Sequence, residues 1–172
     1  KRQDRASQIM YLTNLSTAYI GLSDFSGAEQ QLLTVIQMPE TIRSVNLADI
    51  HRNLAEARLG QKKAQEALVA AELALALSQE AKSPELVGRA WRTLGRVSSF
   101  HDEPVMVDEQ MYTSADCFSA SLKTFKTVNL LGESIATLQT WASYETDHDN
   151  ISLAEKLRQE AKSIQATVAR NR

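Results

Sequence analysis

The sequence predicts an all-α protein of eight helices folded as four helical hairpins, and three observations carry that prediction. The 172 residues are rich in Ala, Leu, Glu, Gln and Lys but hold only six Gly and three Pro, a composition that suits helices better than the many turns of an all-β chain. Apolar residues recur at three- and four-residue spacing, which places them on one face of a helix. A small residue also returns at long intervals: Ala28, Ala67, Ser114 and Ala154 are separated by 39, 47 and 40 residues. Leu15, Leu54 and Trp141 each stand 13 residues before the first, second and fourth of these, whereas Leu94 stands 20 before Ser114, an insertion of seven. Self-similarity of this period is expected of stacked hairpins.

The first hairpin covers about 6–38. Ile9, Leu12, Leu15, Ala18 and Tyr19 form its first stripe, and Gly21 with Ser23-Asp24 breaks it. Ser26-Gly27-Ala28-Glu29 reads as a capping box that opens the second helix, continued by Leu32, Leu33, Val35 and Ile36. Pro39 marks a stop or bend. The second hairpin, about 44–81, carries Val45, Leu47, Ile50, Leu54 and Ala57, a turn at Gly60-Gln61-Lys62, then Ala67, Leu68, Ala71, Ala74 and Leu75. The third, about 85–128, opens with Pro84 behind Ser83 as cap. Its second helix holds Cys117, Phe118, Ser121, Leu122 and Phe125. Between them lies the insertion, about 101–113. Val105-Met106-Val107 and Met111-Tyr112-Thr113 around Asp108-Glu109-Gln110 read as a small β-hairpin; the alternative is that seven residues, about two turns, lengthen the second helix. The fourth hairpin, about 133–170, has Ile135, Leu138, Trp141 and Ala142, a polar turn at Asp147-His148-Asp149-Asn150, and a last stripe of Leu153, Ala154, Leu157, Ala161, Ile164 and Val168.

Hydrophobic residues make up 43% and charged ones 23% of the chain, as in a soluble globular protein rather than a disordered one. A net charge of −2 creates no field that favours nucleic acid or an anionic membrane. One cysteine, Cys117, makes no internal disulfide and does not point to an oxidising compartment. The apolar run Ala67–Leu77 is broken by Glu72 and too short to span a bilayer. A cytoplasmic location is expected. The opening Lys-Arg-Gln-Asp, without Met, reads as a piece of something longer.

Trp91, Leu94 and Gly95, followed by Ser114, Phe118, Ser121-Leu122 and Phe125, resemble the tetratricopeptide repeat (TPR). Ala67, Ala71 and Ala74-Leu75, and Ala28, Leu32 and Val35-Ile36, look like weaker copies. The likeness spans nearly the whole chain, although the period exceeds the usual ~34 residues and the aromatic before Leu appears only in the third unit. It implies a right-handed superhelix of four hairpins with no cofactor. The stretches GRAWRTLGRV, ADCFSASLKTF and ESIATLQTWASYETDHDN further resemble the C-terminal repeat tails of large bacterial signalling proteins, in which a nucleotide cyclase or kinase-like module is joined to a P-loop (STAND-type) ATPase. That resemblance implies a non-catalytic scaffold that binds a partner segment, or another domain of its own chain, on the concave face.

No glycine-rich phosphate loop occurs. His101-Asp102-Glu103 and Asp147-His148-Asp149 fall at turns, where solvated charges and caps are normal, and the second lacks the Gly and closing Glu of a calcium loop. Cys117 follows Asp116 at a helix start, where a low-pKa thiolate can form, but a small core residue accounts for it better. No metal and no catalytic residue is expected. Transferred from the family, the groove-facing positions are Thr13 and Thr17; Asp49, Arg52 and Glu56; Arg89, Arg92, Arg96 and Ser99; and Ala136, Gln139 and Ser143. Of these, Arg52, Glu56, Arg89, Arg92, Arg96 and Gln139 are the candidate binding residues. Arg holds a carboxylate through two parallel bonds, which suits an acidic peptide. The bland reading is a solvated face with local pairs to Glu85 or Glu56. The chaperone-tail clamp of the family needs Lys and Asn where Thr13 and Thr17 stand, so that ligand is not expected. Nucleic acid fits less well, because Asp49 and Glu56 share the surface and no aromatic series interleaves the Arg. A homo-oligomerisation module, or an enzyme fragment built on Cys117 or His101, are the rival functions.

Overall fold

Helix formation follows the apolar stripes closely. A computed structural model describes residues 2–38 and 44–170. Among the described residues are eight α-helices and one two-stranded sheet: α1 (Arg2–Gly21), α2 (Phe25–Ile36), α3 (Ser44–Gly60), α4 (Ala64–Glu80), α5 (Pro84–His101), β1 (Val105–Val107), β2 (Gln110–Tyr112), α6 (Ser114–Thr127), α7 (Leu131–Asp147) and α8 (Ile151–Arg170). The expected bend at Pro39 lies outside the described residues, as does the side chain of Val45. The chain divides into two compact units, Lys1–Leu86 and Val87–Arg172.

One turn recurs in both units. The chain leaves a helix through a residue with positive φ, and the next backbone N–H reaches back to the carbonyl five residues earlier. Ser23, Lys62, Lys82, Asn129 and Asp149 take φ of 61°, 63°, 50°, 55° and 59°. The N–H groups of Asp24, Lys63, Ser83, Leu130 and Asn150 donate to the carbonyls of Tyr19, Arg58, Ser78, Phe125 and Glu145 at 2.8–3.2 Å. This closure satisfies carbonyls that the helix end would otherwise leave unbonded. The end of α5 repeats it: Asp102 has φ 54° and Glu103 N–H donates to Ser98 O at 3.3 Å. No glycine among the described residues has positive φ. The glycines expected to mark turns, Gly21 and Gly60, are helical instead.

In the first unit each helix packs on its neighbour in sequence, and α1 also meets α3. The core is aliphatic and largely small: Ala48, Ala55 and Ala57 of α3, and Ala67, Ala70, Ala71 and Ala74 of α4, are buried with Ile50, Leu54 and Leu75. Gly60 admits the ring of Phe25, which occupies the space a Cβ would need. Two expectations change here. Asp24, not Ser26, caps α2: its Oδ1 accepts from Gly27 N–H at 2.9 Å, because the left-handed Ser23 turns the chain so that the helix begins two residues earlier. The α1 stripe is also rotated. Ile9 and Ser16 are buried, whereas Ala18 is exposed.

The second unit is filled by rings. Phe118 and Phe125 of α6 are fully buried and press into the backbone of α5 at Gly95 and Gly88. A Cβ on Gly95 would lie 2.8 Å from Phe118, and one on Gly88 would lie 2.6 Å from Phe125. Trp141 stacks near Phe118 with ring centroids 6.3 Å apart. Leu122, Leu138, Ala142, Leu157 and Ala161 complete the α6–α8 core. The insertion is a β-hairpin, as expected over the lengthened helix. Its loop is shorter than predicted, only Asp108-Glu109, because Gln110 already pairs with Val107. Thr113 closes it as the N-cap of α6, in a reciprocal capping box with Asp116. α7 starts at Leu131 rather than Glu133.

Candidate functional site

α5 positions the three arginines singled out in the sequence. Trp91, Leu94 and Gly95 turn inward, so positions 89, 92 and 96 fall on other faces of the helix. Arg89 and Arg92 converge on one carboxylate, that of Glu133 in the first turn of α7. Arg89 Nε donates to Glu133 Oε1 at 2.8 Å, with Nη2 at 2.6 Å from the same oxygen. Arg92 Nη1 lies 2.8 Å from Oε2 and also donates to the Glu133 carbonyl and to Thr137 Oγ1, each at 3.3 Å. Thr137 Oγ1 in turn lies 3.1 Å from Ser121 Oγ. The Arg92 guanidinium sits 5.6 Å over the Phe125 ring, close enough for a cation–π contribution. Burial pushes the Glu133 carboxyl up, but Arg92 and Arg89 outweigh it and hold the group below its ordinary range. The start of α7 favours the same charge state, since a helix N-terminus stabilises an anion.

The Arg89, Arg92 and Glu133 side chains keep 29%, 19% and 21% of their surface open to solvent, so water and ligands can reach the cluster. Arg96 lies exposed one turn further along α5, and Gln139 is exposed on α7, its carbonyl accepting from Ser143 Oγ at 3.2 Å.

Arg52 and Glu56 belong to the first unit. Arg52 chelates Asp49 on its own helix through Nε at 3.0 Å and Nη2 at 2.7 Å, and Glu56 is buried. Thr17 Oγ1 accepts from the buried Asn53 at 3.2 Å, a bond between α1 and α3. Thr13 Oγ1 donates to the Ile9 carbonyl at 2.8 Å.

Two polar clusters escaped the sequence reading. Glu133 was seen only as a helix start. No spacing marked it: the 47-residue interval between corresponding first-helix positions, Leu94 to Trp141, maps it onto Leu86 rather than beside Arg92. In the first unit Glu29 accepts from Arg58 Nε at 2.9 Å, Gln61 Nε2 at 2.8 Å and Lys63 Nζ at 2.7 Å. Burial raises its pKa, but Lys63, Arg58 and Gln61 prevail and lower it to about 2. This knot ties α2 to the α3–α4 turn.

The groups considered for catalysis are placed as follows. Cys117 is fully buried, and burial with the nearby Asp116 charge pushes its thiol up to about 12. The two acidic–histidine motifs meet: His148 Nε2 lies 3.6 Å from Asp102 Oδ1, with Nδ1 at 2.8 Å from the Tyr144 carbonyl. Among the described residues no three His, Cys, Asp or Glu side chains gather as a metal site, and no helix is long and apolar enough to cross a membrane. No model of a known protein family matches the chain, and no curated protein matches it either.

Proposed function

We propose that the chain is a non-catalytic interaction module of four TPR-like hairpins wound as a right-handed superhelix. On this reading it is a cytoplasmic regulatory part of a larger bacterial signalling protein, and its α5 face holds an acidic segment of a partner or of another domain of the same chain. The observation that carries the binding reading is the Arg89–Glu133–Arg92 cluster: Glu133 already occupies, from within, the seat that a ligand carboxylate would take. Arg92 is oriented by Thr137 and Phe125, so little ordering cost remains for an incoming carboxylate. The repeat reading draws support from the recurring turn, from packing between sequence neighbours, and from the way first helices of successive hairpins meet, α1 with α3 and α5 with α7.

The test is titration of a fluorescent decapeptide of alternating Glu and Ala at low and at physiological salt. The wild-type chain binds it, with affinity falling as salt rises. Arg96→Glu, at an exposed position, weakens it, and Arg89→Ala weakens it further while Arg92 keeps Glu133 paired. Glu133→Gln tightens it several-fold by vacating the seat. Unchanged binding in all three variants sinks the proposal.

A further inference from the structure

The β1–β2 hairpin is firmly held on one side. Val105 is 3% exposed, and the Tyr112 ring lies against Trp91 with centroids 4.9 Å apart. Ser98 Oγ donates to the Glu103 carbonyl at 2.7 Å and receives a bond from Ser114 Oγ at 2.9 Å. The register pairs Met106 with Met111, and strand alternation sends both to the opposite, outward face. They are 60% and 53% exposed. A solvent-facing strand position is ordinarily polar. Here both are Met, whose flexible, polarisable thioether is suited to adaptable binding surfaces.

The segment that carries this pair is acidic. Residues 101–113 contain Asp102, Glu103, Asp108 and Glu109 and no Lys or Arg. Asp108 and Glu109 form the two-residue loop with φ of 48° and 64°, a conformation that Asn-Gly adopts far more readily. Glu at positive φ is disfavoured, so two carboxylates stand where stability alone favours other residues.

We propose that the outward face of this hairpin docks a protein segment in which Lys or Arg side chains flank an apolar one. The carboxylates select the basic residues by charge complementarity, and Met106 with Met111 receives the apolar side chain. The pinned inner face presents the surface in one conformation, which lowers the ordering cost of binding. The site has the opposite sign to the α5 arginine face and is independent of it, so either can fail alone.

The probe is a dye-labelled eight-residue peptide of alternating Lys and Leu, whose fluorescence anisotropy is followed as the whole chain is titrated in. Met106→Ser with Met111→Ser is expected to weaken binding at least fivefold. Asp108→Asn with Glu109→Gly is expected to do the same while the melting temperature stays equal or rises, which separates lost binding from lost folding. An all-Lys peptide of equal length should bind at least fivefold more weakly than Lys-Leu. Absence of Lys-Leu binding, equal affinity for the all-Lys peptide, or unchanged binding in both double variants would overturn the proposal.

Discussion

The first and second units turn their helices with the same backbone device and fill the space between helices with different emphasis, although Phe25 over Gly60 is a ring in a notch in the first as well. In the first, α3 and α4 pack together and bury small side chains on both partners, Ala48, Ala55 and Ala57 on one and Ala67, Ala70, Ala71 and Ala74 on the other. In the second, α6 carries the bulk and α5 the notches, with Phe118 over Gly95 and Phe125 over Gly88. Small against small spreads the packing over many weak contacts. A ring in a notch concentrates it: one side chain of large buried area depends on the absence of one Cβ. Polar clamps differ too. Glu29 is gripped by three donors from a neighbouring helix and its turn, whereas Glu133 is shared by two arginines whose guanidinium groups stay partly in solvent.

The largest effect should come from breaking a notch. Phe118→Ala removes a fully buried ring and should cost about 3–5 kcal/mol, read as a fall in the urea midpoint. Gly95→Ala alone should cost about 1–3 kcal/mol by overpacking, yet add nothing in the Phe118→Ala background, where the ring is gone. Additive costs in that double-mutant cycle would mean that the ring and the notch are not coupled.

A smaller effect separates the clamps by pH. The folded Glu29 carboxyl, at about 2, lies below its ordinary 4.5. Its stabilisation is therefore complete above about pH 4.5 and is lost as pH falls toward 2. After screening it should amount to on the order of 2 kcal/mol. Glu29→Gln should flatten that part of the stability–pH curve, leaving a shallower slope from groups such as Glu133; a curve of unchanged steepness would refute the assignment.

The smallest effect addresses what the units share. Lys62→Gly should stabilise by up to about 1 kcal/mol, because Gly accepts positive φ without penalty. Asn129→Gly should gain less, since Asn tolerates that conformation better than Lys. Melting temperatures of the two variants decide the ranking.

The elements were largely legible because apolar periodicity is a local signal. Even the insertion could be read, since Val105, Val107 and Tyr112 favour strand around a charged pair. What escaped was either subtle or distant. Asp24 caps α2 because Ser23 adopts positive φ, and nothing about Ser announces that. Gly60 looked like a turn but is helical, its missing side chain making room for a ring 35 positions earlier. The arginines of α5 were legible as a face that seeks negative charge, but their partner Glu133 stands 44 positions beyond Arg89, beyond the reach of any helix-spacing rule.

The bond from Arg92 to Thr137 crosses 45 residues of sequence, and the other hydrogen bonds described above cross fewer. A chain whose contacts are this local has low contact order and little loop-closure entropy to overcome before the contacts form. During synthesis, the hairpins of the first unit can pack on each other before the second unit has been made.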